Sequence, residues 1–264
     1  MSEPIFVRIH VSLLHVDPIV QRALDPHRAA AMAEKFNPSA VGALIVNQRD
    51  DGKYFIIDGQ HRHAAAVIAK FDGKLNCVVH PGLPIAEEAA LFLALNDSKL
   101  VQAIDKFRMR VLAHEPDAVA INEIIEKYGW HTATSTASGS FAAVAAIEKV
   151  YNGAGVLDAG GKYPVLVKYV MWTINKAWGR EAAGAHAAIV GGLGQLFARY
   201  GQDVDTKKLA AEMAKVRPVD LVAKAKQLKD AQGGTIPPAM AAVLVGIHNK
   251  NRRTNKLPDW RWTR

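Results

Sequence analysis

Apolar residues in the first hundred positions fall in short alternating or clustered runs, and beyond that at the three-to-four spacing of helices. Ile5, Val7, Ile9 and Val11 alternate with Phe6, Arg8 and His10, a strand pattern. Leu44-Ile45-Val46 and Tyr54-Phe55-Ile56-Ile57 flank Asp50-Asp51-Gly52, which predicts a hairpin. Asp72-Gly73 turns the chain into a further strand, Leu75 to Val79. Helices are predicted between the strands. One opens at Asp25-Pro26, an N-cap followed by proline at the first helical position. It runs to about Phe36 with Ala30, Met32 and Ala33 inward, and Asn37-Pro38 stops it. Ala64 to Lys70 is a second helix, and Pro84 to Asn96 a third, with Glu87 and Glu88 in its early turns where the helix dipole favours acids.

From Ala103 onward the pattern predicts helices alone. They cover Ile104 to Ala113, Pro116 to Tyr128, Phe141 to Tyr151, Val165 to Trp178, Arg180 to Tyr200, Thr206 to Val216, Val219 to Ala231 and Pro237 to Asn249. A polar run, His131 to Ser140, separates the second from the third, and a Gly-rich link, Asn152 to Lys162, precedes the bundle. The expected fold is α/β, a small mixed sheet with helices over residues 1–100, followed by an all-α part. The latter divides into a helical domain at 101–151, a bundle at 152–248 and a basic tail at 249–264.

Composition adds three bounds. At 264 residues, half of them hydrophobic, the chain can bury a sizeable core. The formal charge of +8 favours a polyanionic partner, with a merely solvated basic surface as the alternative. A single cysteine, Cys77, excludes an internal disulfide framework and reads as a small buried hydrophobe in a cytoplasmic protein. Neither a signal peptide nor a membrane-spanning run is expected; the longest apolar stretch, Ala182 to Phe197, is interrupted by His186, glycines and Gln195.

Candidate chemistry centres on Asp58-Gly59-Gln60-His61-Arg62-His63, between the strand ending at Ile57 and the alanine-rich helix. A strand feeding a helix through a glycine turn leaves the first backbone N–H groups of the helix without partners and partially positive. That is a place for a phosphate or carboxylate. Arg62, in the first turn, is positioned to grip the same anion with two parallel hydrogen bonds, and Gly59 permits positive φ and close backbone approach. An ordinary surface turn with a solvated Arg62 is the plainer alternative.

Asp-Gly-Gln-His-Arg followed by an alanine-rich helix resembles the signature turn of the ParB N-terminal domain and sulfiredoxin superfamily, in the form associated with ParB-like proteins of bacteria and phages. The loop Val16 to Arg22 resembles the first ParB box, with Gln21 and Arg22 matching its last residues. Leu95-Asn96-Asp97-Ser98-Lys99 stands where ParB proteins carry Glu-Asn-x-Gln-Arg; Asn96 matches the asparagine that helps hold magnesium and triphosphate, while Leu95, Ser98 and Lys99 depart. The resemblance covers about the first 110 residues. It implies a nucleoside triphosphate, CTP in the relatives, bound by Gln21, Arg22, Gly59, Gln60, His61, Arg62, Asn96 and Lys99, with Mg2+ near Asn96 and a homodimeric assembly on DNA. Asn96 reads equally well as a helix C-cap. In ParB a helix-turn-helix follows this domain, and Pro116 to Tyr151 is either a degenerate version or an ordinary helical hairpin.

Other chemistries are narrower. Sulfiredoxin activity needs a thiolate where this chain has Gln60, and an amide cannot replace it. Zinc-ligand spacing, a zincin helix and a Walker loop are all absent from the sequence. A metal-dependent nuclease would need several converging carboxylates; Asp58 in the turn is the catalytic candidate, with Asp17 and Asp97 on neighbouring elements. The tail carries Lys250, Arg252, Arg253, Lys256, Arg261 and Arg264, interleaved with Trp260 and Trp262, against Asp259 alone. Cations on phosphates with indoles on bases is an arrangement for nucleic acid; a solubilising tail, or a helix anchored by its tryptophans, is the alternative. Three functions follow: a nucleotide-switched DNA-binding protein, a nuclease, or a DNA- or protein-binding module that keeps only the fold.

Overall fold

The computed structural model describes residues 3–96, 102–158 and 160–260. The chain divides after Glu115 into two units.

In the first unit, the alternating run forms β1 (Ile5–His10), and a short β2 (Leu14–His15) follows. Then come α1 (Pro26–Glu34), β3 (Leu44–Gln48), β4 (Tyr54–Asp58), α2 (Gln60–Ile68), β5 (Lys74–Pro81), α3 (Ile85–Leu95) and α4 (Ala103–Leu112). The sheet order is β1-β5-β3-β4-β2. The predicted hairpin is the antiparallel pair β3–β4, closed by hydrogen bonds between Arg49 and Lys53 and between Gly52 and Arg49. β5 runs antiparallel to β1 and parallel to β3, while β2 runs parallel to β4.

Side chains alternate across the sheet, so each face builds its own core. Ile9, Val11, Leu44, Val46, Ile56, Leu75, Cys77 and Val79 pack with Ala66 of α2 on one face; Ile57 packs with Ala89 and Phe92 of α3 and Met109 of α4 on the other. Burial pushes the Cys77 thiol up to about 11, which makes it an inert part of this core. Ile5 and Val7 are exposed although they share the parity of Ile9, because β1 lies at the sheet edge. In α1 the buried alanine is Ala29, not the predicted Ala30, which is exposed.

Glu87 and Glu88 both lie in the first turn of α3, as expected, and Glu88 has a further role. It is buried, with both oxygens on Arg49: Nε to Oε1 at 2.7 Å and Nη2 to Oε2 at 2.7 Å. Asn47 donates to the same Oε1 at 2.6 Å, and Arg49 Nη1 reaches Asp17 Oδ2 at 2.8 Å. The Arg49 guanidinium lies 3.9 Å above the Phe55 ring centroid. This cluster ties the end of β3 to α3 and to the loop that carries Asp17.

The second unit contains α5 (Pro116–Lys127), α6 (Val144–Tyr151), α7 (Pro164–Trp178), α8 (Ala187–Tyr200), α9 (Thr206–Met213), α10 (Pro218–Gln232) and α11 (Ile236–Asn249). It is not wholly helical. The polar run holds two short parallel strands, β6 (His131–Thr132) and β7 (Ser140–Phe141), so Phe141 belongs to a strand and α6 begins three residues later than predicted. The segment between α5 and α6 is far longer than the three or four residues of a helix-turn-helix turn. The predicted helix Arg180 to Tyr200 is broken at His186. That residue is extended and caps α8, its Nδ1 accepting the Ala188 N–H at 3.1 Å. No described helix is long and apolar enough to cross a membrane.

Charge is divided unequally between the units. Residues 1–115 hold 13 Lys and Arg against 13 Asp and Glu, whereas residues 116–264 hold 20 against 12, so the net +8 belongs to the second unit.

Candidate functional site

Gly59 ends β4 and caps α2 with φ of +106°. Its missing side chain is required twice, since a Cβ there would sit 2.9 Å from Leu44 Cγ and 3.0 Å from Arg62 Nη2. The helix starts at Gln60, so Gln60, His61 and Arg62 form its first turn and their N–H groups have no intrahelical acceptor. Gly59 has no side chain to cap this end. A cavity of about 250 Å³ opens here, lined by Gln21, Arg22, Arg28, Met32, Asp58, Gly59, Gln60, His61, Arg62, Phe92 and Asn96. Three arginines and one carboxylate are among these lining residues. A second cavity, about 370 Å³ and mainly apolar, shares Met32 and Arg62 with the first and is walled by Ala31, Phe36, Ala40, Val41 and Ala65.

The loop, the turn and the end of α3 come together as the sequence implied, but several side chains are already engaged. Arg62 donates from Nη2 to Asp58 Oδ2 at 2.7 Å and from Nη1 to the carbonyls of Val41 and Ala43 at 3.0 and 2.9 Å. A guanidinium has five N–H donors, and three of these bonds are internal. Arg62 therefore braces the turn, and the expected two-pronged grip on a guest is not preformed. Asp58 is the other half of that brace. Gln21 is buried, and its Nε2 donates to the carbonyls of Ile56 and Ile57 at 2.8 and 2.6 Å, binding its loop to β4. Gln60 Nε2 donates to the Arg22 carbonyl at 3.0 Å. Asn96 is the C-cap of α3, its Nδ2 donating to the Phe92 carbonyl at 2.9 Å. Lys99 and Asp97 lie outside the described residues.

His61 is held in one tautomer. Its Nε2 accepts the backbone N–H of Asp25 at 3.1 Å, so the ring proton is on Nδ1. Burial, then the nearby Arg22 and Arg28, hold its pKa below the ordinary histidine value. Asp25 in turn caps α1 through the N–H groups of His27 and Arg28, which lowers its carboxyl pKa, the Arg28 bond contributing most. The start of α1 is thus tied to the start of α2, and Arg28 is carried to the cavity. Arg28, Met32 and Phe92 were not foreseen as lining; Arg28 and Met32, four apart on one helix face, are the readable signal.

A family described as "Family of unknown function (DUF6551)" matches residues 17–259. The chain belongs to this family. The match spans both units, so its members share the α/β unit and the helical unit as one arrangement along the sequence. No curated protein sequence matches the chain. Among solved structures, it is similar to the C-terminally truncated chromosome-partitioning protein ParB of Caulobacter crescentus complexed with CTP-gamma-S. That similarity covers 74% of this chain and 97% of that chain at 14% identity, with a TM-score of 0.30. At that TM-score it carries no argument.

Of the carboxylates expected of a nuclease, Asp58 is bonded to Arg62, and Asp97 lies outside the described residues. Asp17 is turned to Arg49 and to the Ile19 N–H. Among the described residues no three His, Cys, Asp or Glu side chains are grouped to hold a metal ion.

In the second unit the DUF6551 chain folds its C-terminal segment back onto the helices. Asn249 pairs with Leu257 through two hydrogen bonds of 2.8 Å, Leu257 is buried, and Tyr200 donates to the Pro258 carbonyl at 2.8 Å. Trp260 packs edge-on against Tyr200, with centroids 6.0 Å apart, and under the Arg199 guanidinium at 4.8 Å. It is an internal anchor rather than a free stacking platform. Arg252 is largely buried and paired with Asp205 at 2.7 Å. Lys250, Arg253 and Lys256 are exposed. Arg261, Trp262 and Arg264 lie outside the described residues.

Proposed function

We propose that the protein is a ParB-like nucleotide-responsive DNA-binding protein. Its first unit receives the phosphates of a nucleoside triphosphate, and its basic second unit contacts DNA. The supporting observation is the cavity at the Gly59 turn, lined by Arg22, Arg28 and Arg62, where the first-turn N–H groups of α2 have no partner among the described residues. The adjoining apolar cavity gives room for the rest of the nucleotide. CTP is the candidate because of the Asp58 to Arg62 turn, whose sequence resembles the ParB signature. Arg22, Arg28 and the first-turn N–H groups hold the phosphates in this reading, with Asn96 at the far wall.

Among the described residues the side chains do not make a protein-held Mg2+ site. The cavity offers one carboxylate, already bonded to Arg62, and three amides, Gln21, Gln60 and Asn96, each donating to a backbone carbonyl. A cation there would be held by the phosphates more than by the protein.

Titration with the four nucleoside triphosphates, followed by calorimetry, tests the reading. One of them binds, and Arg28→Ala weakens it at least tenfold, because a charge-assisted bond to phosphate is lost. If none binds, the second reading stands: a nucleotide-free module that keeps the fold. The internal bonding of Arg62 is the observation that favours it.

For DNA, the exposed cations supply the contacts. Replacing Lys250, Arg253 and Lys256 together by alanine reduces the slope of log affinity against log salt by roughly two to three, at about 0.7 to 0.9 per phosphate contact. An unchanged slope removes this segment from the interface. Arg252→Ala instead loosens the fold, since it breaks the Asp205 pair.

A further inference from the structure

His248 lies at the end of α11 and is fully buried. Its Nε2 accepts the backbone N–H of Asp205, the N-cap of α9, at 3.1 Å. Its Nδ1 lies 3.1 Å from Asn249 Oδ1. Since Nε2 is an acceptor, Nδ1 carries the proton and donates to Asn249. That same Asn249 oxygen accepts the Leu257 N–H, and Asn249 Nδ2 donates to the Leu257 carbonyl. A chain of bonds thus runs from the cap of α9, through one neutral imidazole, to the midpoint of the C-terminal segment. Arg252 runs beside it, donating from Nε to the His248 carbonyl and from Nη2 to Asp205 Oδ2.

We infer that His248 is an acid-sensitive latch that holds the basic segment Lys250 to Trp260 against the bundle. Only the neutral imidazole fits. A second ring proton would sit on Nε2, facing the Asp205 N–H donor across 3.1 Å, on a side chain fully buried in the fold. Protonation and release of the segment are therefore one event. The surroundings are mixed: Arg252 and Lys208 oppose a positive ring, while the bond to Asn249 favours one, as does Asp205, itself paired with Arg252. α8, also packed on α11, carries Arg199 over Trp260; α10 carries Asp220 paired with Arg217, Lys229 paired with Asp230, and Lys224 and Lys226. Burial is the main reason the imidazole resists protonation. The inference does not depend on nucleotide or DNA binding; it concerns what holds the segment down.

Amide hydrogen exchange of Leu257 in the full chain reads the latch directly, because that N–H is bonded to Asn249. One proton taken up on opening makes its protection factor fall by up to tenfold per pH unit as the pH drops below about 6.5. In His248→Gln, an amide with an acceptor oxygen and no titration in this range, the protection is flat between pH 7 and 5. If that variant does not fold, the imidazole nitrogen shifts of the unaltered protein decide. Release of Leu257 that tracks protonation of His248 supports the latch. A His248 that becomes doubly protonated while Leu257 stays protected overturns it, as does equal pH dependence in the glutamine variant.

Discussion

Replacing Glu88 with alanine is expected to destabilise the first unit by about 3–5 kcal/mol, the range for removing one member of a buried ion pair. The loss exceeds that of two hydrogen bonds. Arg49, pinned over Phe55 and inside the fold, keeps its charge but loses both Glu88 oxygens, and the fully buried Asn47 loses an acceptor at the same time. Asp17→Ala serves as comparison. It removes the single bond to Arg49 Nη1 and the local one from the Ile19 N–H, leaves the two-pronged pair with Glu88 intact, and should cost less. Urea unfolding checks both. The Glu88 variant should show an early transition for the first unit, separate from that of the second. Equal costs for the two variants would mean that the two-pronged pairing with Glu88 contributes no more than the single bond to Asp17.

The second large effect is expected at Gly59. An alanine there meets two penalties. Its φ of +106° is strained for any residue with a Cβ, and that Cβ would press on Leu44 Cγ at 2.9 Å. Backbone strain of about 1–3 kcal/mol and overpacking of similar size together predict roughly 2–6 kcal/mol. Gly52 isolates the first penalty. It has φ of +79° with nothing within 4 Å of the added carbon, so Gly52→Ala should carry the strain alone. The Gly59 Cβ also lies 3.0 Å from Arg62 Nη2, so the variant disturbs the Asp58–Arg62 brace and with it the shape of the cavity. Gly59→Ala as mild as Gly52→Ala, measured by the same melts, would show that the turn relaxes freely.

The sheet was readable because β-branched and aromatic residues mark its strands and Asp50-Asp51-Gly52 marks its hairpin. The turn was readable because one glycine divides a strand from an alanine-rich helix. The phase of α1 was not, since Ala29, Ala30 and Ala31 give no hydrophobic contrast from which a face could be chosen. Residues 182–188 are alanine and glycine around one histidine, which hides the break that His186 makes. β6 and β7 are two residues each, too short for any period to show. At the cavity, the sequence brought the loop, the turn and the end of α3 to one place. It did not reveal what their side chains bind, because hydrogen-bond partners such as Gln21 with Ile56, or Arg62 with Val41, are distant along the chain. The buried cluster of Asn47, Arg49 and Glu88 was hidden for the same reason.

The central claim is that the first turn of α2 receives phosphate oxygens. Its most direct measurement is the backbone amide shift of Gln60, His61 and Arg62 during titration of the full chain with CTP and, separately, with inorganic triphosphate. Both titrants should move these three amides in a saturable way, along with the Arg28 side chain, and cytidine should leave them in place. Saturating CTP that leaves all three amides unmoved would contradict the claim.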